Sequence, residues 1–167
     1  MGNYKILLLV RHAKSSWEIG TASDFERPLN ERGKVDAPEM GKRIKERKIL
    51  IDGFVSSPAK RAKSTAEFFC KEYGLAETVI NFRQELYHAS ATVFFEVISK
   101  LDNTIQVAAI FSHNPGITEF VNMLVENTYL DNMPTCAVFA VKIFTDDWAG
   151  FRHATKELLF FDFPKNG

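Results

Sequence analysis

The sequence predicts an α/β fold, a three-layer α/β/α sandwich around a mostly parallel sheet. Three observations carry that prediction. Segments of strand and helix character alternate along the chain. Two strand segments, residues 6–10 (ILLLV) and 105–112 (IQVAAIFS), are almost continuously apolar, as strands covered on both faces are. Two helices open on a capping residue followed by proline, Ser57-Pro58 and Asn114-Pro115. With 167 residues, 46% of them hydrophobic, the chain is expected to form one domain, 1–167.

Residues 6–10 are the first strand. Residues 30–48 have helical period, with Ala37, Met40 (or Gly41) and Ile44 on one face. Pro38 should kink that helix or mark a later start, because it lacks an N–H. Residues 52–57 (DGFVSS) read as a short strand and 58–74 as a helix closed by Gly74. A weaker strand follows at 78–82 (TVINF). Ser90 caps an amphipathic helix carrying Phe94, Val97, Ile98 and Leu101. After the strand at 105–112 comes a helix over 114–126, then strands at 136–144 and 157–163, the last at a sheet edge.

Lys plus Arg and Asp plus Glu number 21 each, so bulk charge does not hold this chain to nucleic acid or a membrane. A local basic pocket is compatible with that balance. Cys70 and Cys136 match no metal spacing and read as buried free thiols of a reducing, cytoplasmic setting. The apolar run in residues 1–10 is too short for a signal peptide. Gly2 does not complete a myristoylation signal, since Ile6 stands where Ser or Thr is required. No segment reaches membrane-spanning length.

The chemistry is expected where strands end. The first ends in Arg11-His12, the second in Ser57-Pro58 with Arg61 one turn on, and the strand at 105–112 in Ser112-His113. Charged groups leaving a buried strand are costly unless paired, and in open α/β sheets ligands bind at the carboxyl ends of strands. Parallel strands bring Arg11, His12, Arg61 and His113 to one sheet edge, under two helix starts. Two guanidiniums and imidazole donors suit a compact dianion, phosphate first because arginine clamps its oxygens bidentately. Carboxylate and sulfate fit the same groups less fully. Ser15, Ser57 and Asn114 either donate to such a ligand or cap turns. Lys14 extends a basic rim, Trp17 packs a loop, and His88 and His153 read as a loop and a solvated histidine.

These segments resemble the histidine phosphatase (phosphoglycerate mutase-like) superfamily. VRHAKSSW is similar to its Arg-His-Gly signature, with Ala13 in the glycine place. SSPAKRAKSTAE resembles its second arginine segment and SHNPGI its second histidine. ERPLNERGKVDAPEMG and MPTCAV resemble the small SixA-type phosphohistidine phosphatases. The resemblance implies that His12 attacks phosphorus and becomes phosphorylated. Arg11, Arg61 and His113 would hold the equatorial oxygens, with Ser15 and Asn114 as further substrate contacts. Nearby cations should keep His12 neutral, while His113 should be protonated or donating. The family's general acid often follows the TVINF strand, which makes Glu85 the candidate, with Asp24 and Glu26 weaker ones.

The expected function is a metal-independent phosphatase without cofactor. Its expected substrate is phosphohistidine on a partner protein, such as a phosphotransfer domain, because only residues 15–29 are long enough to rim the pocket. The alternatives are a small-molecule phosphomonoesterase and a phospho-ligand sensor without turnover. A mutase would need a longer lid insertion. A metallohydrolase on His12, His88 and His113 lacks a ligand one turn away.

Overall fold

β1 (Lys5–Arg11) lies inside the sheet and alternates between two hydrophobic cores: Leu7 and Leu9 face one, Leu8 and Val10 the other. That period of two explains why the strand is apolar throughout. Its neighbours in the computed structural model, which describes residues 3–17 and 23–166, are β4 (Val107–Ser112), parallel to it, and β5 (Val138–Ile143), antiparallel. β2 (Gly53–Ser56) and β3 (Ile80–Phe82) continue the parallel half, and β6 (Lys156–Asp162) pairs antiparallel with β5 at the far edge. The order is β3-β2-β4-β1-β5-β6, a mixed and mostly parallel six-stranded sheet.

α1 (Glu31–Glu46) and α2 (Lys60–Glu72) pack on the face bearing Leu8, Val10 and Phe111, through residues such as Met40 and Phe69. α3 (Ala91–Ser99) and α4 (Gly116–Val121) cover the other face with Phe94, Ile98 and Phe120. The three layers are those the alternation predicts.

Helix boundaries differ from the sequence expectation in four places. α1 starts at Glu31, capped by Asn30, whose side chain accepts from the Gly33 N–H, and it continues through Pro38 as one helix. The lost N–H costs one hydrogen bond at a half-buried position, while Ala37, Met40, Gly41 and Ile44 bury the inner face. α2 begins two residues later than expected, after Ala59, and Ser57 bonds the Ala59 N–H at 3.2 Å outside the helix. Ser90 occupies the cap position of α3 without a side-chain capping bond. α4 is only six residues long and has Pro115 at its cap position, so Asn114 does not cap it.

Among the described residues no helix is long and apolar enough to cross a membrane. The Gly2 position and residues 18–22 of the expected rim lie outside the described residues.

Candidate active site

Strand register assembles the site. In the β1–β4 ladder Arg11 pairs with Ser112, so the next residues, His12 and His113, emerge side by side. Their ring centroids are 5.2 Å apart. β2 pairs with β4 on the other side, and the Ser57 N–H reaches the Phe111 carbonyl at 2.9 Å. Ser57 therefore meets His113, with Oγ 2.7 Å from Nε2. A cleft of about 400 Å³ opens above these strand ends. Arg11, His12, Lys14, Ser15, Arg61, His113 and Asn114, all anticipated from sequence, line it together with Trp17 and His88.

His12 is nearly buried, and its Nδ1 lies 2.7 Å from the carbonyl oxygen of Ala13. A carbonyl only accepts, so Nδ1 carries the hydrogen and Nε2 keeps a free lone pair. Burial, opposed by the Ala13 carbonyl and assisted by Arg61, Arg11 and Arg27, lowers the His12 pKa to about 3. The ring is neutral, as a nucleophile requires. His113 differs from expectation: burial, then His12 and Arg61, push its pKa far down, so it too is neutral without a ligand. Its Nδ1 is buried with no hydrogen-bond partner. The Ser57 hydroxyl can act either way toward Nε2, so His113 can still present a donor to an anion without being charged.

The peptide of Ala13 is held from α2. Its N–H donates to Thr65 Oγ1 at 3.0 Å, and the Thr65 hydroxyl donates to the Arg61 carbonyl at 2.8 Å. Thr65 is fully buried one turn beyond Arg61. It thus joins the loop bearing His12 to the helix that carries a guanidinium, a link the sequence reading missed. From the other side, the Cys136 N–H donates to the His12 carbonyl at 3.0 Å. Both thiols are buried with raised pKa values, Cys70 to about 11.

Arg27 is a third guanidinium that the sequence reading did not single out, although it stands in the quoted ERPLNERG segment. Its side chain is buried, donates to Ser15 Oγ and to the Ser16 carbonyl, and lies against the Trp17 ring, with Cζ 3.3 Å from the centroid. Trp17 is thus a cleft-wall residue and not only loop packing. Asp24 bridges the cations: Oδ1 takes Arg27 Nη1 at 2.9 Å, and Oδ2 takes Arg61 Nη2 at 3.0 Å and the Tyr87 hydroxyl at 2.6 Å. Burial opposes its ionisation, but these donors outweigh it and hold the carboxyl well below the usual range. Arg11 donates from Nη1 to the Met133 carbonyl at 2.7 Å, while its buried Nε has no partner.

Two of the expected contacts line the cleft but already have partners within the protein. Ser15 is engaged by Arg27. Asn114 donates to the Asn132 side chain and accepts from Thr118, which fixes the Asn132–Met133 turn against α4. Glu85 does not reach the site. It forms a two-pronged ion pair with Arg83 on the surface, 3.0 and 3.1 Å, which pulls its pKa down, and it does not line the cleft. The reason is local: the turn Gln84–Leu86 buries Leu86 and turns Glu85 outward. Glu26 does not line the cleft either, and His153 is exposed elsewhere.

Residues 7–87 match the family model described as Histidine phosphatase superfamily (branch 1). An uncharacterized chloroplastic protein of Arabidopsis thaliana is 27% identical over 150 residues, covering 85% of this chain and 68% of its own. SixA from Agrobacterium tumefaciens superposes with a TM-score of 0.80 at 22% identity, over 96% of this chain and 98% of that one. A protein histidine phosphatase SixA complexed with tungstate gives 0.80 at 23% identity over the same shares. The match to the superfamily model spans β1, α1, β2 and α2, and over nearly its whole length this chain has the fold of these SixA proteins.

Proposed function

We propose that the protein is a metal-independent phosphatase that passes a phosphoryl group through His12, and that its substrate is phosphohistidine on a partner protein. The observation that carries the reading is the hydrogen bond from His12 Nδ1 to the Ala13 carbonyl. It leaves Nε2 unprotonated in a cleft lined by Arg11, Arg27 and Arg61. Nε2 attacks phosphorus, the new P–N bond forms as the bond to the leaving group breaks, and charge on the equatorial oxygens is met by the guanidiniums and His113. Water then attacks the phosphorylated His12, releasing phosphate and restoring the imidazole. The cations supply the charge neutralisation that a metal supplies in other phosphatases.

The choice of substrate rests on the acid. Glu85 faces away, and Asp24, a carboxylate in the cleft wall, is held ionised by two arginines and a tyrosine. An alkoxide leaving group needs a placed proton donor. The imidazole of phosphohistidine leaves as a neutral ring when its other nitrogen carries a proton, and so depends less on one. A structurally similar SixA protein is known in complex with tungstate, a tetrahedral oxyanion of the class proposed for this cleft.

The test is kcat/KM for a phosphohistidine-bearing phosphotransfer domain against a panel of phosphorylated metabolites, with His12→Ala as control. The expected result is preference for the domain, an acid-labile phosphoenzyme in rapid quench, activity that survives EDTA, and none in His12→Ala. A metabolite preferred by about tenfold, equivalent to roughly 1.4 kcal/mol of transition-state binding, removes the phosphohistidine assignment. Turnover by His12→Ala removes the mechanism.

A further inference from the structure

A second cleft, about 790 Å³, adjoins the first and shares Arg11, Lys14 and Thr135 with it. Arg32, Asp36 and Lys165 contribute to its outer wall. The protein carries equal numbers of acidic and basic side chains, yet this wall has four cations and one carboxylate. That carboxylate, Asp36, is occupied by Arg32 at 3.2 Å. Among the described residues the side chains of Arg11, Lys14 and Lys165 have no acidic partner. Excess positive charge is therefore concentrated on the ground between the phosphate cleft and the chain's end.

The backbones that carry these cations are fixed to one another. Gly33 packs so closely on Lys14 that a Cβ would lie 2.2 Å from the Lys14 carbonyl oxygen, so only glycine fits there. The Asn30 N–H donates to the same oxygen at 3.0 Å. Lys14 and the first turn of α1, with Arg32, are thus one rigid piece. At the far wall Arg43 of α1 donates to the carbonyls of Phe163 at 3.0 Å and Pro164 at 2.7 Å, and holds Asp162 as well. Lys165 follows directly. Three exposed cations on a fixed backbone give an electrostatic contact whose ordering cost is confined to their own side chains.

We propose that this cleft docks an acidic segment of the phosphoprotein substrate, placed beside its phosphorylated histidine. The inference rests on the phosphohistidine reading of the adjoining cleft and names the recognition surface it would use. A phosphoryl group held by Arg11 leaves the rest of its carrier to extend into the shared opening. There a carboxylate-rich surface meets Lys14, Arg32 and Lys165, while a small metabolite leaves the outer wall unused.

The test reads binding apart from turnover. A fluorescein-labelled peptide rich in Glu and Asp, without phosphate, is titrated with the protein while vanadate fills the phosphate cleft. The wild type should bind it, more weakly as salt is raised, and a Lys-rich control should not bind. Arg32→Glu/Lys165→Glu should lose at least about tenfold in affinity, or roughly 1.4 kcal/mol, with p-nitrophenyl phosphate hydrolysis unchanged. Arg32→Gln/Lys165→Gln should lose less. Equal affinity of both variants and the wild type, or no binding by the wild type, overturns the proposal. If the acidic peptide binds but phosphohistidine is not hydrolysed, the docking surface stands and the substrate assignment falls.

Discussion

The imidazoles of His12 and His113 face each other at 5.2 Å, tilted by 54°, and both are neutral in the free site because burial outweighs every other influence on them. In the unfolded chain each protonates near the ordinary histidine value of about 6.5. The folded state therefore binds fewer protons than the unfolded state below that pH, and its stability falls on acidification. For His12 the loss begins near pH 6.5 and is complete only below about 3. Asp24 adds a similar loss at lower pH, since its depressed pKa stabilises the fold only while it stays ionised. The melting temperature should drop steadily between pH 6.5 and about 4.5. His113→Asn should flatten that slope, and an unchanged slope would mean that burial does not set these imidazoles.

Thr65 should matter more than its chemistry suggests. Thr65→Val keeps the shape but removes the acceptor for the buried Ala13 N–H. An unmatched buried donor costs about 1–3 kcal/mol. Urea denaturation should show a loss in that range, and kcat should fall because the peptide that orients His12 loses its tie. Thr65→Ser should restore both.

Asp24 serves here as a positioning residue. Asp24→Asn weakens the hold on Arg27 and Arg61 together, and displacement of a reacting group by about 1 Å can cost up to about 100-fold. Steady-state kinetics should show kcat falling for activated and unactivated phosphates alike, whereas loss of a proton donor would spare the activated ones. Tyr87→Phe removes one of the three donors and should have a smaller effect in the same direction.

Glu85→Gln should leave hydrolysis of alkyl and aryl phosphates within about twofold of the wild type. The exposed pair with Arg83 contributes at most about 1 kcal/mol, so the thermal midpoint should barely move. A selective loss on alkyl phosphates would return Glu85 to the acid's role.

The parts of the site legible in the sequence are those that strand register places. Arg11-His12 and Ser112-His113 end apolar strands, and parallel pairing makes neighbours of them once the order β4-β1 is formed. Arg61 follows because the spacing after Ser57 is fixed by the first turn of α2. What stayed hidden depends on loops with no period. Arg27 enters the cleft because the chain folds back through the Ser15–Leu29 bridge, and the partnership of Asp24 with Tyr87 spans 63 residues. Glu85 was misplaced because a single 3-10 turn decides which way it faces. Of the two expectations for His113, charged or merely donating, burial leaves only the second, and burial on all sides cannot be read from a strand end.

β1 is the shared wall of two cores and is paired on both edges. β1, which leads directly into His12, is therefore among the last segments that thermal fluctuation can open. Its amides should exchange with solvent only when the whole molecule unfolds, not through local fraying. A mutation elsewhere that weakens the fold should lower the fraction of working molecules without changing the rate of those still folded.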